Sequence, residues 1–410
     1  MAGAEMSRTR FTLTRPHDVR NAWGIWAVIA AGICVVSIAT GFTRSVTGAY
    51  AAGADRWLES TDLYREGIHG FLYLPQAALL YLPFDQLPQW LGGSLWRIGS
   101  IALFAWGLYR FTRCMSRLSG IELFPLVTLL AILPSLAAFR NGQMTVPMTG
   151  CLLLAGAGFA DSRWWWTVFW LCLAVAMKPL AVVLLLLAIA LEPALWWRLP
   201  VGICCMLLVP FGFQSPEFVA ETYERFIQKL GIAGTPGFDT SYSDLFGTIR
   251  VFDIDAPESF KTMLRGLAAF GTLLASWASM KRFGRSGGTI FMVLLALTYI
   301  LLFNPRTENN TYVIIAPVIA SAAAGCFLVG RWKLAGTMLT IAMLLIAANY
   351  ELTKHVTPGR ETWLCPLLTL AIGLWLVGLI WIRTCPWIPE DAGAESSGST
   401  TTTQPDGEPG

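Results

Sequence analysis

Four short polar clusters interrupt an otherwise apolar chain of 410 residues. The densest is Asn304–Pro305–Arg306–Thr307–Glu308–Asn309–Asn310, set directly between two apolar runs. Arg306 carries the planar fork that holds a phosphate at two points, which a lysine cannot do. Glu308 could orient that fork or, with Asn309, bind a hydroxyl. Lys178–Pro179 interrupts a second apolar stretch. A lysine there must snorkel, pair or bind an anion, and the proline permits a break in a helix. The turn Arg140–Asn141–Gly142–Gln143 combines a cation, two amides and a flexible glycine. That set suits hydrogen bonding to sugar hydroxyls or a phosphate, and equally an ordinary capped hairpin turn.

The fourth cluster lies in 43–94, where Asp55, Glu59, Asp62 and Glu66 recur every three or four residues, with Trp57, Leu58, Tyr64 and His69 among or after them. On a helix the four carboxylates would share one face. They are either the solvated side of an interfacial helix or the source of a general base. Asp55, beside Arg56 and nearest the first apolar block, is the leading base, with Asp62 and Glu66 behind it. Tyr64, His69 and Asp244 are further groups for a sugar or acceptor, Asp244 resting on the weaker pattern Tyr242–Ser243–Asp244 with Arg250. No P-loop, Rossmann glycine pattern, HExxH or suitably placed GxSxG occurs, so nucleotide hydrolysis and serine or zinc proteolysis have no support. The nine cysteines show no CxxC or Cys/His ligand spacing, so no structural zinc site is indicated; no metal ligands are assigned and no cofactor is expected beyond the substrates.

The elements that position these clusters follow from composition. Charged residues are only 13 % against 55 % hydrophobic, about half the charge of an ordinary soluble domain. The apolar residues fall in blocks of bilayer length, which in lipid must be helices. The sequence therefore predicts an all-α polytopic membrane protein with about twelve spans: 22–42, 95–112, 121–139, 144–160, 164–177, 179–196, 199–213, 263–281, 288–303, 311–330, 334–350 and 364–382. The segment 71–90, with three prolines and an Asp, reads as a re-entrant or interfacial helix after the first span. Arg8, Arg10, Arg15 and Arg20 place the N-terminal segment 1–21 in the cytoplasm, and Arg110, Arg113 and Arg117 fall on the same side. Parity then turns 43–94, 214–262 and the clusters at 140–143, 178–179 and 304–310 outward. The membrane domain is 22–383. The tail 384–410, rich in Ser, Thr, Gly and acidic residues, reads as disordered and cytoplasmic. A net charge of +3 gives no reason to expect nucleic acid.

The order of these motifs carries a resemblance: an acidic outward loop with "DLY", then "YLPQAALLYLPF", "NGQ", "AMKPLAVVLLLLA", "SYSDLFGTIR" and "NPRTENNTYVIIAP". Over about residues 20–380 the chain resembles GT-C type integral membrane glycosyltransferases. It is most similar to glycosyltransferase family 87, the polyprenyl-phosphate-mannose-dependent α-mannosyltransferases and their relatives. The resemblance implies a hexosyltransferase in a bacterial inner membrane, working at the extracytoplasmic face. Its donor would be a polyprenyl-phosphate-linked sugar and its acceptor a glycolipid or cell-envelope glycan. It further implies that Lys178, Arg306 and Arg140 hold the donor phosphate and that a first-loop carboxylate is the base. Relatives carry that Asp four residues before a Tyr. Aligning the Tyr on Tyr50 puts Val46 at the Asp position, so the base would be Asp55, Asp62 or Glu66 instead. Two other classes stay open from the residues alone: a transporter or flippase of a lipid-linked or anionic solute, and a non-catalytic subunit of a polysaccharide assembly.

Overall fold

A computed structural model describes residues 16–64, 70–234, 242–254, 256–330, 332–358 and 361–389. Glu66, His69, the first fifteen residues and the tail from 390 lie outside the described residues. The chain opens with α1 (Pro16–Ala39), α2 (Thr47–Leu58), α3 (Pro75–Asp85) and α4 (Gln89–Ser119). It continues through α5 (Phe124–Asn141), α6 (Thr145–Ala160), α7 (Trp164–Met177), α8 (Val182–Leu191) and α9 (Arg198–Leu208). Then come α10 (Pro216–Gly234), α11 (Leu245–Arg250), α12 (Glu258–Phe303) and α13 (Ile315–Leu328), and finally α14 (Lys333–Ala347), α15 (Asn349–Thr353) and α16 (Leu364–Trp381). No strand occurs among the described residues.

Among the described residues six helical stretches are long and apolar enough to cross a membrane: Asp18–Ala39, Phe124–Asn141, Pro193–Gly212, Glu258–Phe303, Asn309–Leu328 and Leu364–Trp381. Four shorter apolar helices accompany them, Thr145–Ala160, Trp164–Met177, Pro179–Leu191 and Lys333–Ala347. The protein is thus a helical polytopic membrane protein. The 46-residue α12 contains both expected blocks 263–281 and 288–303, and breaks at Gly284, whose φ of 68° and ψ of −177° leave helical space.

The bundle is inside-out only at its rim. Every residue of α6 is buried, as are the first twelve of α13, whereas Val28, Leu129, Leu186, Leu267, Leu334 and Leu374 are exposed on the outer helices. Large exposed apolar residues on this scale need a lipid rather than water environment. α4 and α6 approach through glycines: a Cβ on Gly107 would lie 2.4 Å from the Gly150 carbonyl oxygen. Close backbone contact of this kind is how helices gain packing energy in lipid.

Charge divides the bundle into two ends. At one, Arg117 pairs with Asp161 at 2.6 Å, Arg113 with Glu122 at 3.7 Å and Arg285 with Glu192 at 2.7 Å. At the other lie the α5–α6 turn, the α7–α8 break at Lys178 and the α12–α13 turn. The segment 43–94 covers this second end, and here the structure corrects the sequence reading. Asp55, Glu59 and Asp62 do not share a helix, because α2 stops at Leu58 and Ser60 turns the chain at a positive φ of 53°. Asp62 is therefore on a turn. At 11 residues α3 is about 16 Å long, roughly half a bilayer core. It lies on α2 through Tyr50 and Tyr81, whose rings are 5.5 Å apart. The segment 214–262, expected as a loop, folds in part into α10 and α11.

Candidate active site

Three chain interruptions meet at the second end. α7 stops at Met177 because Pro179 supplies no amide hydrogen, and Lys178 takes an extended conformation (φ −155°, ψ 126°). Its Nζ donates to Thr145 Oγ1, in the first turn of α6, at 3.1 Å. The side chain is deep-set yet keeps some accessible surface. The charges of both Glu308 and Arg306 act on it, so the two outlying clusters of the sequence converge here.

Arg306 lies over the Tyr242 ring, 5.3 Å from the centroid. Its Nη1 is buried without a hydrogen-bond partner among the described residues. A guanidinium nitrogen left so is costly unless something else accepts from it. Glu308 N-caps the 3-10 turn Asn309–Ile314 through a reciprocal pair: its carboxylate accepts from the Thr311 amide, and Thr311 Oγ1 accepts from the Glu308 amide at 3.3 Å. Asn309 Oδ1 accepts from Ser243 Oγ at 2.9 Å and Asn349 Nδ2 at 3.4 Å, joining three segments.

Tyr50 of α2 and Tyr73, just before α3, supply a pair of phenols. Tyr50, 1 % exposed, accepts from the Met144 amide at 2.9 Å and is hydrogen-bonded to Tyr73. Burial first, and then the charge of Glu308, push Tyr73 up to about 12, so it remains a neutral donor. Val46, at the N-terminus of α2, donates its amide to the Asn141 carbonyl at 3.0 Å, which brings the start of α2 beside the α5–α6 turn. Gln143 is buried there, and Asn141 Oδ1 is buried without a partner among the described residues.

The remaining expected residues make no hydrogen bond or ion pair with Lys178, Arg306 or Glu308 among the described residues. Arg140 is anchored by its carbonyl, which accepts from Arg97 Nε at 3.0 Å and Nη2 at 2.9 Å. No hydrogen bond or ion pair joins its side chain to Lys178 or Arg306 among the described residues. Asp62 accepts from the Tyr64 amide at 2.9 Å and pairs with Arg225 of α10 at 2.8 Å. Tyr64 is a buried strut: its hydroxyl donates to the Tyr73 carbonyl at 2.9 Å, and its carbonyl accepts from Lys229 Nζ at 3.2 Å. Asp244 caps α11 through the Gly247 amide at 2.8 Å and pairs with Arg250 at 3.0 Å. Asp55 is exposed and its carboxyl group meets that of Asp85 at the end of α3. Burial, followed by the charge and hydrogen bond of Asp55, raises Asp85 to about 6. Among the described residues no three His, Cys, Asp or Glu side chains gather as metal ligands.

Sequence reasoning missed Arg97, although its signal was present: an arginine in the apolar stretch Leu95–Trp96–Arg97–Ile98. It is 1 % exposed, donates to Ser45 Oγ, Gly93 O and Arg140 O, and lies over Phe42. It fixes the start of α2 to the α5–α6 turn. Tyr50, Tyr73, Thr145 and Asp85 were also passed over, since none stands out from its neighbours until the chain is folded.

The arrangement holds two cations with donors to spare, neutral phenols and a carboxylate, at the mouth of an apolar bundle. An apolar niche of about 130 Å³, lined by Leu180, Val182, Val183, Tyr299, Ile300 and Phe303, opens immediately beside it. The family model of glycosyltransferase family 87 matches residues 71–305. The chain is also similar to the polyprenol-phosphate-mannose-dependent alpha-(1-2)-phosphatidylinositol pentamannoside mannosyltransferase of Mycolicibacterium smegmatis (strain ATCC 700084 / mc(2)155). The two are 26 % identical over 313 residues, covering 72 % of this chain and 72 % of that one.

Proposed function

The chain belongs to glycosyltransferase family 87, and from that premise we propose that this membrane glycosyltransferase moves a hexose, mannose first among them, from a polyprenyl-phosphate donor to a lipid-linked or envelope glycan. The observation that carries the proposal is the pair Lys178 and Arg306. They lie within each other's field, no ion pair to a carboxylate is formed by either among the described residues, and one buried guanidinium nitrogen is unspent. Such a pair calls for an anion. The leaving group of this reaction is a lipid phosphate, whose charge grows as the anomeric C–O bond breaks, and fixed cations stabilise that growth. The apolar niche beginning at Leu180, two residues after Lys178, suits the first isoprene units of the lipid. The M. smegmatis relative, by its name, depends on polyprenol-phosphate mannose, which supports the same donor here.

About twelve crossings, with α2 and α3 lying at the interface, accommodate the ten apolar helical segments, with α12 crossing twice about its break at Gly284 and the 31-residue α4 supplying one more. The basic end would face the cytoplasm and the Lys178–Arg306 end the opposite side. The test is transfer of tritiated mannose from synthetic mannosyl polyprenyl phosphate by the purified protein in lipid vesicles. Labelled glycolipid product is expected, with none from a nucleotide-sugar donor. Exchange of intact donor across the vesicle without transfer would overturn the reading in favour of transport.

A further inference from the structure

We infer that Glu308 is the proton acceptor of the transfer reaction, a role that falls to it because Asp55 and Asp62, the leading first-loop acids among the described residues, meet other side chains; the inference rests on the glycosyltransferase reading above. Four expected or neighbouring carboxylates are accounted for by their partners. Asp62 is held by Arg225 and the Tyr64 amide, and Asp244 by Arg250 and the Gly247 amide. Asp55 and Asp85 meet each other. The carboxylate of Glu308 instead acts on Lys178, Tyr50 and Tyr73, which places it among the groups that would hold the donor.

Its local chemistry fits. The residue is exposed, so its carboxylate can meet an incoming acceptor hydroxyl. The Thr311 amide takes one lone pair and fixes the orientation of the group, as a base requires. Arg306, two residues away, is over Tyr242 rather than in an ion pair with it. In the step, the acceptor hydroxyl oxygen forms a bond to the anomeric carbon while the bond from that carbon to the phosphate oxygen breaks. The electron pair of the broken bond leaves on the polyprenyl phosphate, against Lys178 and Arg306. The hydroxyl proton passes to Glu308, which returns it to water.

The test compares wild type, Glu308→Gln, Glu308→Asp and Asp55→Asn in lipid vesicles. Transfer is measured across pH, and polyprenyl phosphate binding is followed by tryptophan fluorescence. A glutamine can still accept from the Thr311 amide, so the cap and the fold survive the first substitution. Glu308→Gln is expected to lower kcat by about 10²–10⁴-fold, to erase the fall of kcat/KM toward acid pH, and to bind polyprenyl phosphate within about threefold of wild type. Glu308→Asp is expected to recover part of kcat and the acid limb. Retention of kcat by Glu308→Gln, or survival of the acid limb in its residual activity, would overturn the inference. So would loss of that limb in Asp55→Asn instead. A wild type that neither transfers sugar nor binds polyprenyl phosphate would sink the donor reading and this inference together, a result distinct from the other three.

Discussion

Replacing Arg97 with lysine keeps the charge and removes the fork. The guanidinium donates to Gly93 O at 2.8 Å, Ser45 Oγ at 2.9 Å, and Arg140 O at 3.0 and 2.9 Å through two nitrogens. A lysine ammonium on its narrower stem can satisfy one or two of these acceptors. The Arg140 carbonyl, at the C-terminal turn of α5, then loses its donors in a site that water barely enters. Hydrogen bonds to a charged group are each worth about 1.5–3 kcal/mol, and a half-broken buried charge costs about 3–5 kcal/mol in total. The loss worked from these bonds is about 3 kcal/mol, enough to lower the unfolding midpoint by several degrees. The same change unties the start of α2 from the Asn141–Thr145 turn, on which Tyr50 and Lys178 both depend. Transfer activity should therefore fall about tenfold or more with its pH profile unchanged, because Arg97 positions and does not react. The assay pairs thermal unfolding in detergent, read by tryptophan fluorescence, with sugar transfer at several pH values. An unfolding midpoint within about 1 °C of wild type, with full activity, would refute the reasoning.

Three further outcomes follow from the same structure. Asp85, raised to about 6, binds its proton more tightly folded than unfolded. Its share of stability is present at low pH and declines as pH rises from about 4 through 6. Asp85→Asn should match wild type near pH 4 and unfold at a higher temperature near pH 8; because the group is largely open to solvent, the gain is about 1 kcal/mol at most. Gly107→Ala should destabilise sharply, since its Cβ would meet the Gly150 backbone at 2.4 Å, whereas Gly99→Ala, with nothing within 4 Å, should be neutral or slightly stabilising, as unfolding midpoints will show. In a background with exposed Cys204 and Cys205 replaced, an impermeant maleimide added outside intact spheroplasts should label Ser60→Cys and spare Arg113→Cys. The reverse pattern would invert the proposed orientation.

The helices were legible where composition alone decides. Blocks such as 144–160, 164–177 and 364–382 coincide with α6, α7 and α16 to within a residue, because a long apolar run in lipid has no alternative to a helix. The Lys178–Pro179 break was legible for the same reason, as proline leaves one fewer donor. Less was visible where tertiary contact decides. The spacing of Asp55, Glu59 and Asp62 imitated a helix face, but Ser60 ends the helix in a left-handed turn and Arg225, 163 residues beyond Asp62, claims that carboxylate. Lys178 and the Arg306–Glu308 pair stand in separate clusters of the sequence, and only the fold brings their charges within reach of one another. The engagement of Asp55 with Asp85 was not legible either, because nothing in the spacing marks two carboxylates 30 residues apart as neighbours.

The central claim is that Lys178 and Arg306 together hold a lipid phosphate. It is tested most directly by measuring the affinity for polyprenyl phosphate and the rate of sugar transfer in Lys178→Met, Arg306→Met and the double variant, against wild type in the same vesicles. Each single variant should show about a 10²–10³-fold lower transfer rate and weaker polyprenyl phosphate binding, and the double variant should fall short of the product of the two losses because both cations act on one anion. Rates and affinities within about threefold of wild type in both single variants would contradict it.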